Sequence, residues 1–162
     1  MKTSPCSLLK SVSPAHRKRP PGGDVVVIID ALRSSVTITS ALVVGAVKVI
    51  PVLTVAGARA YLGREGYLVA GERGGVQVED FHLGNSPTEL WRQAVEMRGK
   101  TLVLTTSNGT RCLEAAQEGG ATAVLTGSLP NATALAQAAF DLAGGRGRDI
   151  SLQYLRSFSR LG

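Results

Sequence analysis

From Asp24 onward the chain alternates regularly between short β-branched or apolar runs and stretches of helical character, with glycines closing several of them. Val25–Ile29 is an unbroken Val/Ile run, the pattern of a strand covered on both faces rather than one. Ser34–Val44 reads as a helix stopped by Gly45, Val47–Val52 as a second strand, Thr54–Leu62 as a second helix and Tyr67–Ala70 as a third strand. A long loop spans 71–84. Ser86-Pro87-Thr88-Glu89 has the capping-box pattern with proline at the first helical position, and it opens a helix that runs to Met97. Strands at Thr101–Thr105 and Thr122–Thr126 and helices at Thr110–Gln117 and Ala132–Ala143 continue the alternation, and Asp149-Ile150 begins a sixth strand. This order predicts an α/β fold of three layers, α/β/α, with a mainly parallel sheet covered by helices on both faces.

A chain of 162 residues, 44% apolar and 19% charged, is long enough for one domain with a packed core. No apolar run approaches the length of a membrane span, so the sequence predicts neither an integral membrane protein nor a disordered one. The net charge of +6 is unevenly spread. Residues 1–23 hold five basic side chains and no acid, whereas residues 24–150 hold 11 basic and 12 acidic ones. The body is thus near neutral, and its few aromatics are scattered, which argues against a nucleic-acid surface. Cys6 and Cys112 are too few for a disulfide framework and read as thiols in a reducing cytosol, so a cytoplasmic location is expected. His16 and His82 are the only histidines, so any metal would be a hard cation held by oxygens.

The ends differ from the middle. Residues 1–23 are rich in Pro, Ser and basic side chains and show no helical or strand period, so they are expected to form a disordered leader or to follow a misplaced start codon. Residues 24–150 form the α/β domain, and residues 151–162 an atypical tail.

Several familiar sites are absent: no G-x-G-x-x-G follows the first strand, and there is no P-loop and no G-x-S-x-G elbow. What remains lies at the carboxyl ends of the strands, where an open parallel sheet binds its ligands. Asp30, Arg33, Ser34 and Ser35 follow the first strand; Glu72 and Arg73 follow the third; Asn85 and Ser86 close the long loop. Thr105, Thr106, Asn108, Thr110 and Arg111 follow the fourth strand, and Ser128 and Asn131 the fifth. Backbone N–H groups at helix starts, hydroxyls and three arginines suit a small molecule bearing several negative groups. Asp30 and Glu72 are the carboxylates best placed to hold Mg²⁺ beside it. Each residue also has an ordinary explanation. Asp30, Ser86, Thr110, Ser128 and Asn131 would serve as helix caps, Glu72-Arg73 as a surface ion pair, and Asn108-Gly109 as a turn. His82 would be a partly buried loop residue, and Cys112 and Trp91 would pack in the core.

The segments DALRSSVTITSAL (30–42), AGERGGVQVEDFHLGNSP (70–87), LTTSNGTRCL (104–113) and TGSLPNATALA (126–136) resemble the 2-phosphosulfolactate phosphatase family, the ComB type, in content, order and spacing. GERGG…LGNSP and LTT-x-NGT are its specific motifs. The resemblance covers about Val25 to Ile150. It implies a Mg²⁺-dependent phosphomonoesterase that converts 2-phospho-3-sulfolactate to 3-sulfolactate and phosphate, a step of coenzyme M biosynthesis. It assigns Asp30, Glu72, Arg33 and Arg73 to catalysis, with Asp30 a metal ligand or a nucleophile or base, and Glu72 a second acidic contributor to the metal. Substrate binding falls to Ser34, Ser35, Asn85, Ser86, Thr105, Thr106, Asn108, Thr110, Arg111, Ser128 and Asn131. Family members begin differently and continue well past the equivalent of Ile150, so a C-terminal truncation is expected here, with activity in doubt. Three alternatives stay open: a small-anion-binding fragment without turnover, a phosphatase for another small phosphoacid, and an inert remnant. An exposed sheet edge would favour a partner, and a homo-oligomer is open.

Overall fold

In a computed structural model of the chain, residues 6–12, 23–145 and 147–155 are described. They fall into two compact units, one formed by residues 1–32 and 112–162, the other by residues 33–111.

The sheet of the first unit runs, in spatial order, β1 (Cys6–Val12), β8 (Ile150–Leu155), β2 (Val25–Ile29) and β7 (Ala123–Gly127). β2 is parallel to both neighbours, with Val27 facing Leu125 on one side and Leu152 on the other; β1 is antiparallel to β8. The alternation of side chains along a strand explains the unbroken Val/Ile run. Val25 and Val27 pack with Ala139 and Ala143 of α6 (Ala132–Gly144), while Val26 and Ile28 pack with Cys112 and Ala116 of α5 (Gly109–Glu118). β2 is therefore apolar on both faces because each face carries a helix.

The second unit repeats this plan. Its sheet runs β3 (Lys48–Pro51), β6 (Thr101–Thr105), β4 (Tyr67–Arg73) and β5 (Val76–Gln77), with β6 parallel to both neighbours and β5 antiparallel to β4. Leu68, Ala70, Leu102 and Leu104 pack against Ala41 of α1 (Ser34–Val43), Leu90 of α3 (Pro87–Arg92) and Met97 of α4 (Ala94–Met97). On the opposite face Val69 and Val103 pack with Ala58 of α2 (Val55–Arg59) and with Phe81. Each unit thus has α/β/α layering with mainly parallel pairing, the predicted class.

Several expectations are corrected. The one sheet foreseen is two, because β7 and β8 occupy both edges of β2. Chain order does not dictate which edges pair, since the ladder is made by backbone groups common to all residues. β4 continues through Glu72 and Arg73 into a hairpin, so these two residues are strand and not loop. The turn is made by Gly74 and Gly75, both at positive φ, a conformation that glycine adopts without steric cost. The helix foreseen up to Met97 breaks at Gln93 (φ −105°, ψ 26°) into α3 and α4. Trp91 is 57% exposed instead of core, because α3 turns its neighbour Leu90 inward and one residue along a helix is a rotation of about 100°. β1 lies within the segment expected to lack regular structure, and β8 enters the tail. The β1 pairing joins two segments from opposite ends of the sequence, which no local period reveals. The remaining leader and tail expectations fall on residues 1–5, 13–22 and 156–162, outside the described residues. Among the described residues, no helix is long and apolar enough to cross a membrane.

Candidate active site

The polar cluster of the second unit starts where β4 and β6 run side by side. Gly71 lies opposite Thr105 in that pairing. A Cβ on Gly71 would stand 2.6 Å from the Thr105 carbonyl oxygen and 2.7 Å from Thr105 Cγ2, closer than any packing allows. Glycine is required here by close approach, and directly beyond it the two strands deliver Glu72-Arg73 and Thr106-Ser107.

Glu72 is buried, and both of its carboxylate oxygens are engaged. The Ser107 backbone N–H donates to Oε1 at 2.7 Å; the Gly75 N–H and the Ser107 hydroxyl donate to Oε2 at 2.8 and 3.1 Å. Burial by itself raises the Glu72 pKa, but the bonds from Ser107 and Gly75, with the Arg73 charge nearby, outweigh it and hold the carboxyl below its ordinary value. The alternative of a surface ion pair is thus replaced by a buried anchor. Arg73 donates to the carbonyl oxygens of Glu72 (2.6 Å) and Leu53 (3.1 Å) and to Thr105 Oγ1 (2.8 Å). These bonds fix the orientation of its guanidinium.

A second group of hydroxyls adjoins the end of β6. Ser34 Oγ donates to Thr106 Oγ1 at 3.5 Å, the Thr110 N–H approaches the same oxygen at 3.4 Å, and Thr110 Oγ1 donates to the Thr106 carbonyl at 3.0 Å. Ser34, Thr106 and Thr110 are buried, as are Ser35 and Thr105. Thr110 lies inside α5 and is not its cap. Asn85 is buried, and its Oδ1 has no hydrogen-bond partner in the structure, an unsatisfied acceptor of the kind a ligand or water fills. Ser86 does cap α3, its Oγ accepting from the Glu89 N–H at 3.4 Å. Arg33 holds the N-cap position of α1 and is half-buried, Asn108 is half-buried, and Arg111 is exposed in the first turn of α5. His82 is exposed, and its Nδ1 accepts from the Val69 N–H at 3.0 Å, so it supports β4.

Asp30, Ser128 and Asn131 belong to the first unit. Asp30 is 7% exposed at the end of β2; it is not the cap of α1, whose N-cap position is taken by Arg33. Asn131 Oδ1 accepts from the Ser128 N–H (2.8 Å) and hydroxyl (3.3 Å), while its amide donates to the Thr126 carbonyl at 3.0 Å. The same unit has a groove of about 400 Å³ between α6 and the sheet, lined by Val27, Ile29, Leu135, Phe140 and their neighbours. Its apolar walls do not suit an anion. Cys112 is buried as expected.

Ser107, Gly74 and Gly75 stand in the strand-end segments that the sequence singled out but were not among the candidate site residues. Ser107 occupies the open position of LTT-x-NGT; the one signal for it was its place inside a run of candidate residues. Among the described residues, no group of three or more His, Cys, Asp or Glu side chains gathers.

The second unit carries buried hydroxyls, an oriented arginine and an unsatisfied amide oxygen on an α/β scaffold, a set of groups compatible with an anionic ligand. The model of the 2-phosphosulpholactate phosphatase family matches residues 11–145, and the chain belongs to that family. It is similar to the 2-phosphosulfolactate phosphatase of Methanothermobacter thermautotrophicus, with 46% identity over 125 residues, 77% of this chain and 50% of that protein. It is also similar to proteins named "Probable 2-phosphosulfolactate phosphatase" from Clostridium kluyveri (41% identity, 72% of this chain and 48% of the relative) and Caldanaerobacter subterraneus subsp. tengcongensis (43%, 69% and 46%). The chain spans about half the length of these curated relatives.

Proposed function

We propose that the chain hydrolyses a phosphate monoester, 2-phospho-3-sulfolactate, to 3-sulfolactate and phosphate. The observation that carries this reading is the family match over residues 11–145, which takes in every candidate residue from Asp30 to Asn131. The substrate has phosphate, sulfonate and carboxylate groups, and the candidate residues are rich in donors for anions. The held guanidinium of Arg73 supplies directed positive charge, and Thr106 Oγ1, fixed by accepting from the Ser34 hydroxyl and the Thr110 N–H, keeps its own O–H to donate. Asn85 Oδ1 is an acceptor, so it suits the hydroxyl freed in the 3-sulfolactate product or a bound water and not an anionic oxygen. Arg33 and Arg111 are assigned to further charge neutralisation, and Ser35, Ser86, Thr105, Asn108 and Thr110 to the shape of the substrate-binding edge of the second unit.

Mg²⁺ is part of this reading. Magnesium needs only one or two carboxylates, completed by water and substrate phosphate, so a cluster of three is not required. Asp30, a buried carboxylate at a strand end, is assigned to the ion, and Glu72, whose oxygens accept from three donors, to holding the strand ends. When bound, the ion would neutralise charge on the phosphoryl oxygens. A place in coenzyme M biosynthesis in the cytoplasm belongs to the same reading.

The test is phosphate release from 2-phosphosulfolactate by the purified full chain with Mg²⁺, with EDTA, and in Asp30→Asn. Release that needs Mg²⁺ and is lost in the variant supports the reading; release indifferent to EDTA overturns the magnesium part. Thermal stabilisation by inorganic phosphate without any release would make the chain an anion-binding protein instead.

A further inference from the structure

We infer that Ser107 is a positioning residue: its hydroxyl and the Glu72 carboxylate form a clasp that holds the ends of β4 and β6 in register, with Glu72 serving as an internal anion. The Ser107 hydroxyl is used in both directions, donating to Glu72 Oε2 at 3.1 Å and accepting from the Gly74 N–H at 3.2 Å. Its own N–H holds the other carboxylate oxygen. Gly74 and Gly75, consecutive at positive φ (60° and 86°), turn their N–H groups toward this pair, an arrangement of backbone donors that binds anions. The anion bound here is the chain's own carboxylate. The clasp ties the β4–β5 turn to the segment after β6, and Arg73 extends the tie by bonding Thr105 and the Leu53 carbonyl.

The consequence is a division of labour between neighbouring residues. Glu72 has both oxygens engaged by the fold, so its part in the clasp is to hold position. The oriented groups are those beside it, Arg73, Thr105 and Thr106. Small misplacements of such groups cost rate, because directed donors are effective only at the geometry of the reaction. Any residue but proline would supply the Ser107 backbone N–H; the hydroxyl is the part that the side chain adds.

The kinetic part rests on the proposed phosphatase activity, whereas the clasp itself does not, and the experiment separates them. In the full chain, Ser107→Ala and Ser107→Thr are compared with wild type by amide hydrogen exchange and by kcat and KM for phosphate release from 2-phosphosulfolactate with Mg²⁺. Ser107→Ala is expected to speed exchange at Gly75 and residue 107 by about tenfold, with Leu102 and Val103 in the middle of β6 unchanged, since opening of a local tie leaves the strand interior protected. It is expected to lower kcat about tenfold with KM moving less than about threefold, the signature of lost orientation rather than lost binding. Ser107→Thr, which keeps the hydroxyl, restores both. Unchanged exchange in Ser107→Ala overturns the clasp, and faster exchange with unchanged kcat overturns the positioning role. A wild-type chain that releases no phosphate overturns the phosphatase reading and the positioning role with it, while exchange still decides the clasp. If Ser107→Ala does not fold, Ser107→Cys, with its weaker hydrogen bonds, is read by the same criteria.

Discussion

Replacing Glu72 by glutamine keeps the volume of the side chain and removes one acceptor oxygen and the charge. The cost follows from the geometry around the carboxylate. If the glutamine oxygen takes the place of Oε1, it satisfies the Ser107 N–H, and the amide NH₂ then faces the Gly75 N–H, donor against donor. If it takes the place of Oε2, the Gly75 N–H and Ser107 hydroxyl are served and the Ser107 N–H is orphaned. Either orientation leaves one backbone donor unpaired, a loss of roughly 1–3 kcal/mol. The surviving bonds lose their charge assistance, which makes them about half as strong. A net loss of about 2–4 kcal/mol at pH 7 is expected by urea denaturation, a large part of an ordinary domain's stability. The pH dependence adds a second check. Because the Glu72 carboxyl is held below its ordinary value of 4.5, its stabilisation is complete above that pH and is lost as pH falls through the folded-state value. The gap between wild type and Glu72→Gln should therefore be flat from neutral pH down to about 5 and narrow below 4.5. A gap under about 0.5 kcal/mol at pH 7, within the range of an ordinary surface substitution, refutes the reasoning. A gap that does not narrow in acid refutes the assignment of charge.

Gly71→Ala should destabilise by about 1–3 kcal/mol, read from the urea midpoint, because the new methyl meets the Thr105 backbone, which cannot rotate away. Leu104→Ala, at a fully buried position of the second unit, should cost about 2–5 kcal/mol in the same measurement; a cost below that of an exposed leucine would mean that the helices do not pack on this face. His82→Ala removes the acceptor of the Val69 N–H and should raise the exchange rate of that amide, with a loss of about 1 kcal/mol. Asp30→Asn should lower phosphate release by about 10²-fold or more if Asp30 acts as base or nucleophile, with wild-type circular dichroism as the control for folding.

These outcomes bear on why parts of the molecule were legible in the sequence and others were not. β2 and β6 were read to the residue because both are covered on two faces, so burial itself writes an unbroken apolar run. The pairing of strands was not legible. β2 lies between β7 and β8, partners chosen through backbone groups that leave no mark in side-chain order. Within the candidate site the residue types were legible and their engagements were not. Glu72, Arg73 and the hydroxyls after β6 stood out as an excess of polar groups at strand ends, which suggested that they awaited an external ligand. The structure shows that part of this excess is internal: Ser107 and Gly75 donate to Glu72, and Arg73 donates to carbonyls and to Thr105. Donors and acceptors that satisfy one another in the fold must be subtracted before the remainder is assigned to a substrate. In the second unit the subtraction takes three of the roughly four acceptor positions of Glu72. Among the acceptors there it leaves Thr37 Oγ1 and Asn85 Oδ1, both buried and without a hydrogen-bond partner in the structure, and of these Asn85, a candidate site residue, carries the atom on which a bound ligand or water would first be sought.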